Sequence, residues 1–306
     1  MTNPKIEIFL MCRDRVDYAA ASINSIRKQT YKNFQLIVSD NSLSSEFNIE
    51  IKKKFPSINI KRRLPPMSAV DHQNIILDEV ESDYFIVFHD DDLMFPKYLD
   101  SMVEYIKKFP ECSAIAPNGL IIKNNIQTRN KFAKQLDSIV IHKDGESIFN
   151  HYMNFQKSFH APFPGYIYKK EFIGDIRYKT SDGGIYNDVA FLMKLANKAP
   201  ILWAPEPLIY YRDHDSAGRY VVDFKGKLAL SRFARQFRKL YTSHEDIVHY
   251  KINFYIKYLI ISYKNLYRTK RTYRIRILLK LVMGYILKNP KMLFMLINIK
   301  IKKIFL

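Results

Sequence analysis

Three consecutive carboxylates, Asp90, Asp91 and Asp92, follow His89 at the end of the apolar run Tyr84–Phe88. A short unbroken apolar run reads as a buried strand, so the acids stand where that strand ends. Like charges in a row cost stability unless something positive joins them. Hard carboxylate oxygens call for a divalent cation such as Mg²⁺ or Mn²⁺, and a metal-bound phosphate is the natural ligand. Taken alone, the same acids could be helix N-caps, because a helix is expected over Pro96–Lys108.

Two further strand ends are acidic. Ile6–Met11 leads into Cys12-Arg13-Asp14-Arg15, and Phe34–Val38 into Ser39-Asp40-Asn41-Ser42. Asp40 by itself would also suit a turn. A fourth apolar run lies at Ile58–Ile60. Helix-length segments separate the runs: Asp17–Thr30 puts Ile23 and Ile26 on one face, and Ala69–Val80 spaces Val70, Ile75, Ile76 and Val80 helically. The alternation predicts an α/β fold with a doubly wound, mostly parallel sheet. Ligands of such sheets bind beyond the carboxyl ends of the strands, where these acids gather. His72 and Asn74, on the helix before the acidic strand, read as buried packing residues ahead of donor contacts.

Residues 113–220 are less regular, with strand-like pieces at Ala114–Ala116, Leu120–Lys123, Gly165–Tyr168 and Leu202–Ala204. The loops His160–Gly165 and Ser181–Gly184 carry the Pro and Gly residues of substrate-presenting turns. A composition shift near Ser216–Phe224 marks the expected domain boundary.

The 306 residues, 47% apolar, suffice for one large core or two smaller ones. Cys12 and Cys112 lie far apart, which argues against a disulfide framework or thiolate zinc site and fits a reducing compartment. With a strand starting at Ile6 and no apolar leader, a cytoplasmic location is expected. The net charge of +19 is unevenly spread: residues 221–306 hold twenty Lys and Arg against Asp223, Glu245 and Asp246, leaving 29 basic and 27 acidic residues elsewhere. Leu230, Phe233, Phe237 and Leu240 share a helical face ringed by Arg and Lys, and Tyr recurs through the tail. No run approaches the roughly 20 apolar residues of a membrane span. The tail therefore reads as a basic amphipathic helical region lying on an anionic membrane surface, a reading favoured over a nucleic-acid surface or a protein interface.

Four ordered motifs resemble glycosyltransferase family 2 proteins of the GT-A fold. Gln29–Ser42 is similar to the family's opening segment, and Phe88–Pro96 resembles its DXD region with the trailing proline. Asn187–Ala196 is similar to the acidic motif carrying the catalytic base, and Tyr211-Arg-Asp-His214 resembles the element closing the catalytic domain. His89 stands where many relatives have an acid, Asn187 replaces the usual Glu, and the turn after Asp40 lacks the common Gly.

The resemblance implies inverting sugar transfer from a nucleotide-sugar donor to an acceptor hydroxyl, with a divalent metal, Mn²⁺ or Mg²⁺, bridging the diphosphate. By position it implies nucleotide-sugar contacts for Asp14, Asp40, Asp90, Asp91 and Arg212, metal ligation by Asp92 and His214, and a base role for Asp188. Which two of Asp90, Asp91 and Asp92 form the DXD pair stays open, and His214 reads equally well as a structural histidine. Asp188 is expected to cap the helix Val189–Asn197. The catalytic domain would span 1–220, with a nucleotide-sugar half to about 120 and an acceptor half beyond, followed by the membrane-associating region 221–306 on the inner face of the cell membrane. The acceptor would be a lipid-linked bacterial surface glycan such as lipopolysaccharide O-antigen or capsule. A nucleotidyltransferase is the alternative among enzymes, although no Gly-rich phosphate loop is present. A non-catalytic membrane or nucleic-acid adaptor is the alternative outside them.

Overall fold

The computed structural model of the chain describes residues 3–153 and 159–213 together with Phe233. The chain divides into two compact units, Met1–Tyr241 and Thr242–Leu306, and the described residues belong to the first. The predicted tail therefore lies outside the described residues, apart from Phe233.

The first strands are β1 Ile6–Cys12, β2 Phe34–Asp40, β3 Asn59–Arg62 and β4 Tyr84–His89, as the apolar runs require. Helices α1 Val16–Arg27, α2 Glu46–Lys54 and α3 Ala69–Glu79 separate them. All neighbours in the order β3-β2-β1-β4 pair in parallel. Central β1 is buried along nearly its whole length, because both faces of a parallel sheet are covered. Ile6, Ile8 and Leu10 pack with Ile23 and Ile26 of α1 and with Tyr98, Leu99 and Met102 of α4 Tyr98–Lys108.

The second half is mixed. It comprises β5 Leu93–Met94, β6 Ala114–Lys123, β7 Ile126–Lys131, β8 Val140–His142, β9 Ile167–Lys169 and β10 Ile201–Asp213, with helices α5 Gly145–Met153 and α6 Asn187–Ala196. The sheet continues β4-β9-β6-β10-β5. β9 runs antiparallel to both neighbours, whereas β6 and β10 pair in parallel.

The two pieces expected at Ala114–Ala116 and Leu120–Lys123 are one strand, β6, continuous through Pro117, Asn118 and Gly119. Its partner β10 spans thirteen residues, and the pairing register slips at Pro207, where the ladder absorbs residues that cannot donate. A Cβ on Gly119 would meet the Ile209 carbonyl oxygen at 3.3 Å, so glycine allows the two backbones to close. This long β10 carries Arg212 to the acidic rim. No helix among the described residues is long and apolar enough to cross a membrane.

Candidate active site

Strand register builds the rim. Met11 stands opposite His89, and Cys12 opposite Asp40, so the ends of β4, β1 and β2 lie side by side. The turns after β1 and β2 are tied together: the Asp14 backbone N–H donates to Ser42 Oγ at 2.9 Å, and Asp14 Oδ1 accepts from the Leu43 N–H at 3.0 Å. Asp14 itself adopts the left-handed region, φ 56°, which aspartate tolerates better than most residues. Asp40 is fully buried, and its Oδ1 accepts from the Ser42 N–H at 2.9 Å. Its Oδ2 is buried with no hydrogen-bond partner among the described residues. Such an atom is an acceptor waiting for a donor.

Asp90 is also fully buried and faces Arg13 and Arg15. It accepts from the Arg13 N–H at 3.2 Å and from the Arg15 guanidinium, whose Nη1 reaches Asp91 Oδ2 at 2.9 Å. Burial pushes the Asp90 carboxyl up to about 6, against the opposing pull of Arg15. Asp92 is buried too, with Oδ1 accepting from the Arg212 N–H at 2.8 Å; burial, reinforced by the Asp91 charge, holds its carboxyl well above the usual range. The Arg212 guanidinium donates to the Asp91 carbonyl at 2.8 Å and to Asn125 Oδ1 at 2.7 Å, and lies 4.5 Å from the Tyr18 ring centroid. None of the three acids caps a helix, since α4 starts after Lys97.

His89, Asp91 and Asp92 each offer one ligand atom, all within 4.8 Å of one another. The two carboxylates are the hard oxygens a divalent cation takes, and the imidazole beside them suits a transition ion such as Mn²⁺ better than Mg²⁺. Burial lowers the His89 pKa, which favours the neutral, ligating ring. His214, the imidazole expected to join Asp92, lies outside the described residues; His89 supplies one in this cluster. Asp91, expected on the sugar side, stands with Asp92 and also pairs with Arg15, while Asp90 is turned to the Arg15 guanidinium and the Arg13 backbone N–H.

Asp188 stands in the second half of the fold, in the first turn of α6 and not at its cap, which is Tyr186. Its carboxylate accepts from the Val189 N–H at 2.8 Å, and burial raises its pKa to about 6. Its charge is felt by the buried phenols of Tyr152, Tyr166 and Tyr178. Phe163 connects the two halves, with ring centroids 6.4 Å from His89, 6.0 Å from Tyr166 and 6.3 Å from Tyr178. The Ser181–Gly184 loop before Asp188 is pinned by Asp182 to Lys194 at 2.5 Å and by Asn187 Nδ2 donating to the Gly184 carbonyl at 2.7 Å.

Arg15, Tyr18, Ser42, Asn125 and Phe163 belong to this arrangement although sequence reasoning assigns them no role. For Arg15 the signal is present: three acids in a row need a positive partner, and two arginines flank Asp14. The others become visible only through pairing across the sheet.

The chain matches the family model described as glycosyl transferase family 2 over residues 7–170. Among solved structures it is similar to S. aureus TarS 1-349, at 15% identity over 92% of this chain and 79% of that one, with a TM-score of 0.62. It is likewise similar to the same protein in complex with UDP-GlcNAc (15% identity, 92% and 79% covered, TM-score 0.63) and with UDP (16%, 84% and 80%, 0.53). At such identity the likeness shows the fold, the GT-A type expected above. The family match covers more than half of the chain, from β1 to the end of β9, and includes the whole acidic rim: this protein belongs to glycosyl transferase family 2 and is a glycosyltransferase.

Proposed function

We propose that the protein moves a sugar, with inversion, from a nucleotide-sugar donor to an acceptor hydroxyl in a metal-dependent reaction. The observation that carries this reading is the convergence of three strand ends on one acidic rim, with His89, Asp91 and Asp92 within ligating distance of each other. A solved relative of this fold binds UDP-GlcNAc, which makes a uridine donor the first to try.

Each residue has a part that its surroundings support. The unpartnered Asp40 Oδ2 accepts an N–H or hydroxyl of the nucleotide, and Asp14 holds the turn beside it. His89, Asp91 and Asp92 would hold a divalent ion, which would supply Lewis-acid stabilisation of the leaving diphosphate. Arg212 fixes the Asp91 backbone and Asp92 side chain, and Asp90 anchors Arg15 at the rim. With its pKa near 6, Asp188 is ionised at neutral pH and takes the acceptor proton. Inversion follows where Asp188 acts as base in a single displacement and the acceptor hydroxyl is the nucleophile.

The acceptor we propose is lipid-linked, part of a bacterial surface glycan, with the basic tail from residue 221 onward resting on the cytoplasmic face of the membrane. Twenty basic residues against three acids support this reading. The test is a panel of nucleotide-sugars, UDP-GlcNAc among them, assayed for turnover with Mn²⁺ or Mg²⁺. Asp92→Ala or a chelator should reduce turnover by roughly two orders of magnitude. Full turnover in both would sink the metal-dependent reading.

A further inference from the structure

Helix α3 touches both halves of the site through side chains that the mechanism leaves unused. At its N-terminal approach, Asn41 clamps the backbone of Met67: Nδ2 donates to the Met67 carbonyl at 3.0 Å, and Oδ1 accepts from the Met67 N–H at 2.8 Å. One turn into α3, His72 Nε2 meets Ser39 Oγ at 2.7 Å, beside Asp40. Further along, Asn74 repeats the two-point clamp on a segment 104 residues away. Its Nδ2 donates to the Tyr178 carbonyl at 3.0 Å, and its Oδ1 accepts from the Tyr178 N–H at 2.8 Å.

The clamped residue leads straight to the base. Tyr178 is buried, and its ring stacks on Phe191 at 4.1 Å with an interplanar angle of 9°. Phe191 lies three residues after Asp188, on the neighbouring turn of α6. The Tyr178 phenol feels the Asp188 charge directly. The adjacent Arg177 is tied to α3 as well, donating through Nε to Asp78 Oδ1 at 3.1 Å, and its carbonyl accepts from Lys194 of α6 at 3.4 Å. Asn74 and Asp78 are four residues apart on one helical face, so the 177–178 segment is laced between α3 and α6.

We propose that Asn74 is a positioning residue for Asp188: by clamping Tyr178 it fixes the first turns of α6 against α3, and so holds the base in register with the donor-side rim that α3 also braces. This rests on the reading of Asp188 as the base. Asn74 touches neither substrate nor the reacting atoms. A side-chain amide that satisfies both backbone groups of one residue gives a rigid, directional link, and truncating it leaves those two groups seeking water.

The test compares wild type with Asn74→Ala in the full chain, using the donor found active. We expect kcat to fall at least tenfold while the donor KM stays within twofold. The acid limb of the kcat profile should move below its wild-type position near pH 6, because a loosened α6 admits water to Asp188 and relieves the burial that raises its pKa. If Asn74→Ala does not fold, Asn74→Asp, which retains the acceptor for the Tyr178 N–H, takes its place with the same readouts. A folded variant with unchanged kcat and acid limb overturns the clamp alone, as does a fall in kcat matched by a rise in donor KM with the limb unmoved. Wild type that transfers no sugar overturns the role of Asp188, and the clamp with it.

Discussion

Arg15 shows what the acidic rim costs. Asp90 is fully buried, and a buried carboxylate with no positive neighbour is driven toward its neutral form. Arg15 opposes this, bridging Asp90 and Asp91 from a side chain that is itself 43% exposed. Removing one partner of a buried pair costs several kcal/mol, and the exposure of Arg15 cuts that to roughly 1–2 kcal/mol. Arg15→Ala should therefore lower Tm by about 2–6 °C at pH 7.5. The sign of the pH dependence follows from Asp90, whose folded pKa of about 6 lies above its ordinary value. Below pH 6 the carboxyl is protonated and no longer needs the guanidinium, so the gap between variant and wild type should close as pH falls. Thermal unfolding at pH 7.5 and 5 measures it; a gap that is constant across that range would mean that Arg15 stabilises through Asp91 and packing and not through Asp90.

At the scale of elements, the first half of the fold was legible in the sequence and the second was not, for physical reasons. β1, β2 and β4 read as mainly apolar runs, broken only by Glu7 and Gln35, and the expected ends fall within two residues of the observed ones. β6 and β10 contain Pro117, Pro205 and Pro207, which look like strand breakers until the register slips are seen. Asp90, Asp91 and Asp92 were visible as a group, but their division between Arg15 and the His89 cluster depends on which way each successive residue points after the strand. Asn74 reads in the sequence as a buried packing residue, whereas it is half-buried and hydrogen-bonds the Tyr178 backbone, a contact 104 residues away that no local pattern signals. His72 on α3 gives a further test of this element. It is buried, hydrogen-bonded to Ser39, and burial lowers its pKa to about 4. Between the ordinary value near 6.5 and 4, the unfolded chain takes up a proton that the folded chain refuses, so this group makes stability fall as pH falls through that window, by roughly 3 kcal/mol in all. Asp90 and Asp188, with raised pKa values, act oppositely between the ordinary carboxylate range and 6. Their contributions cancel when wild type is compared with His72→Gln, which does not titrate. The wild type should lose more stability than the variant between pH 7 and 4.5 in urea unfolding, and parallel curves would show that His72 titrates normally in the fold.

The whole molecule joins a nearly neutral body to a strongly basic tail, and the two demand different partners. On the proposed reading the site takes a phosphate-bearing donor, whose charge a divalent ion held at the rim would meet, without calling on the tail. The tail, with no acid after Asp246, has a positive charge far beyond what a glycosyltransferase rim needs. Each Lys or Arg near an anionic bilayer contributes roughly 1 kcal/mol, screened within about 10 Å at 0.1 M salt. Apolar residues interleaved with those charges, such as Phe237 and Leu240, add a term that salt does not screen; Phe233, expected on the same face, is instead buried, with Lys194 Nζ 5.4 Å from its ring centroid. The full chain should therefore co-sediment with phosphatidylglycerol vesicles and not with phosphatidylcholine ones. Raising salt from 0.1 to 0.5 M should weaken that binding at least tenfold without abolishing it, because the apolar part persists. Complete loss at 0.5 M would indicate charge alone, and tight RNA binding with no affinity for anionic vesicles would move the tail to a nucleic-acid partner. A membrane-bound enzyme meets a lipid-linked acceptor in two dimensions, so the same vesicles carrying such an acceptor should raise its turnover relative to the detergent-dispersed acceptor at equal concentration.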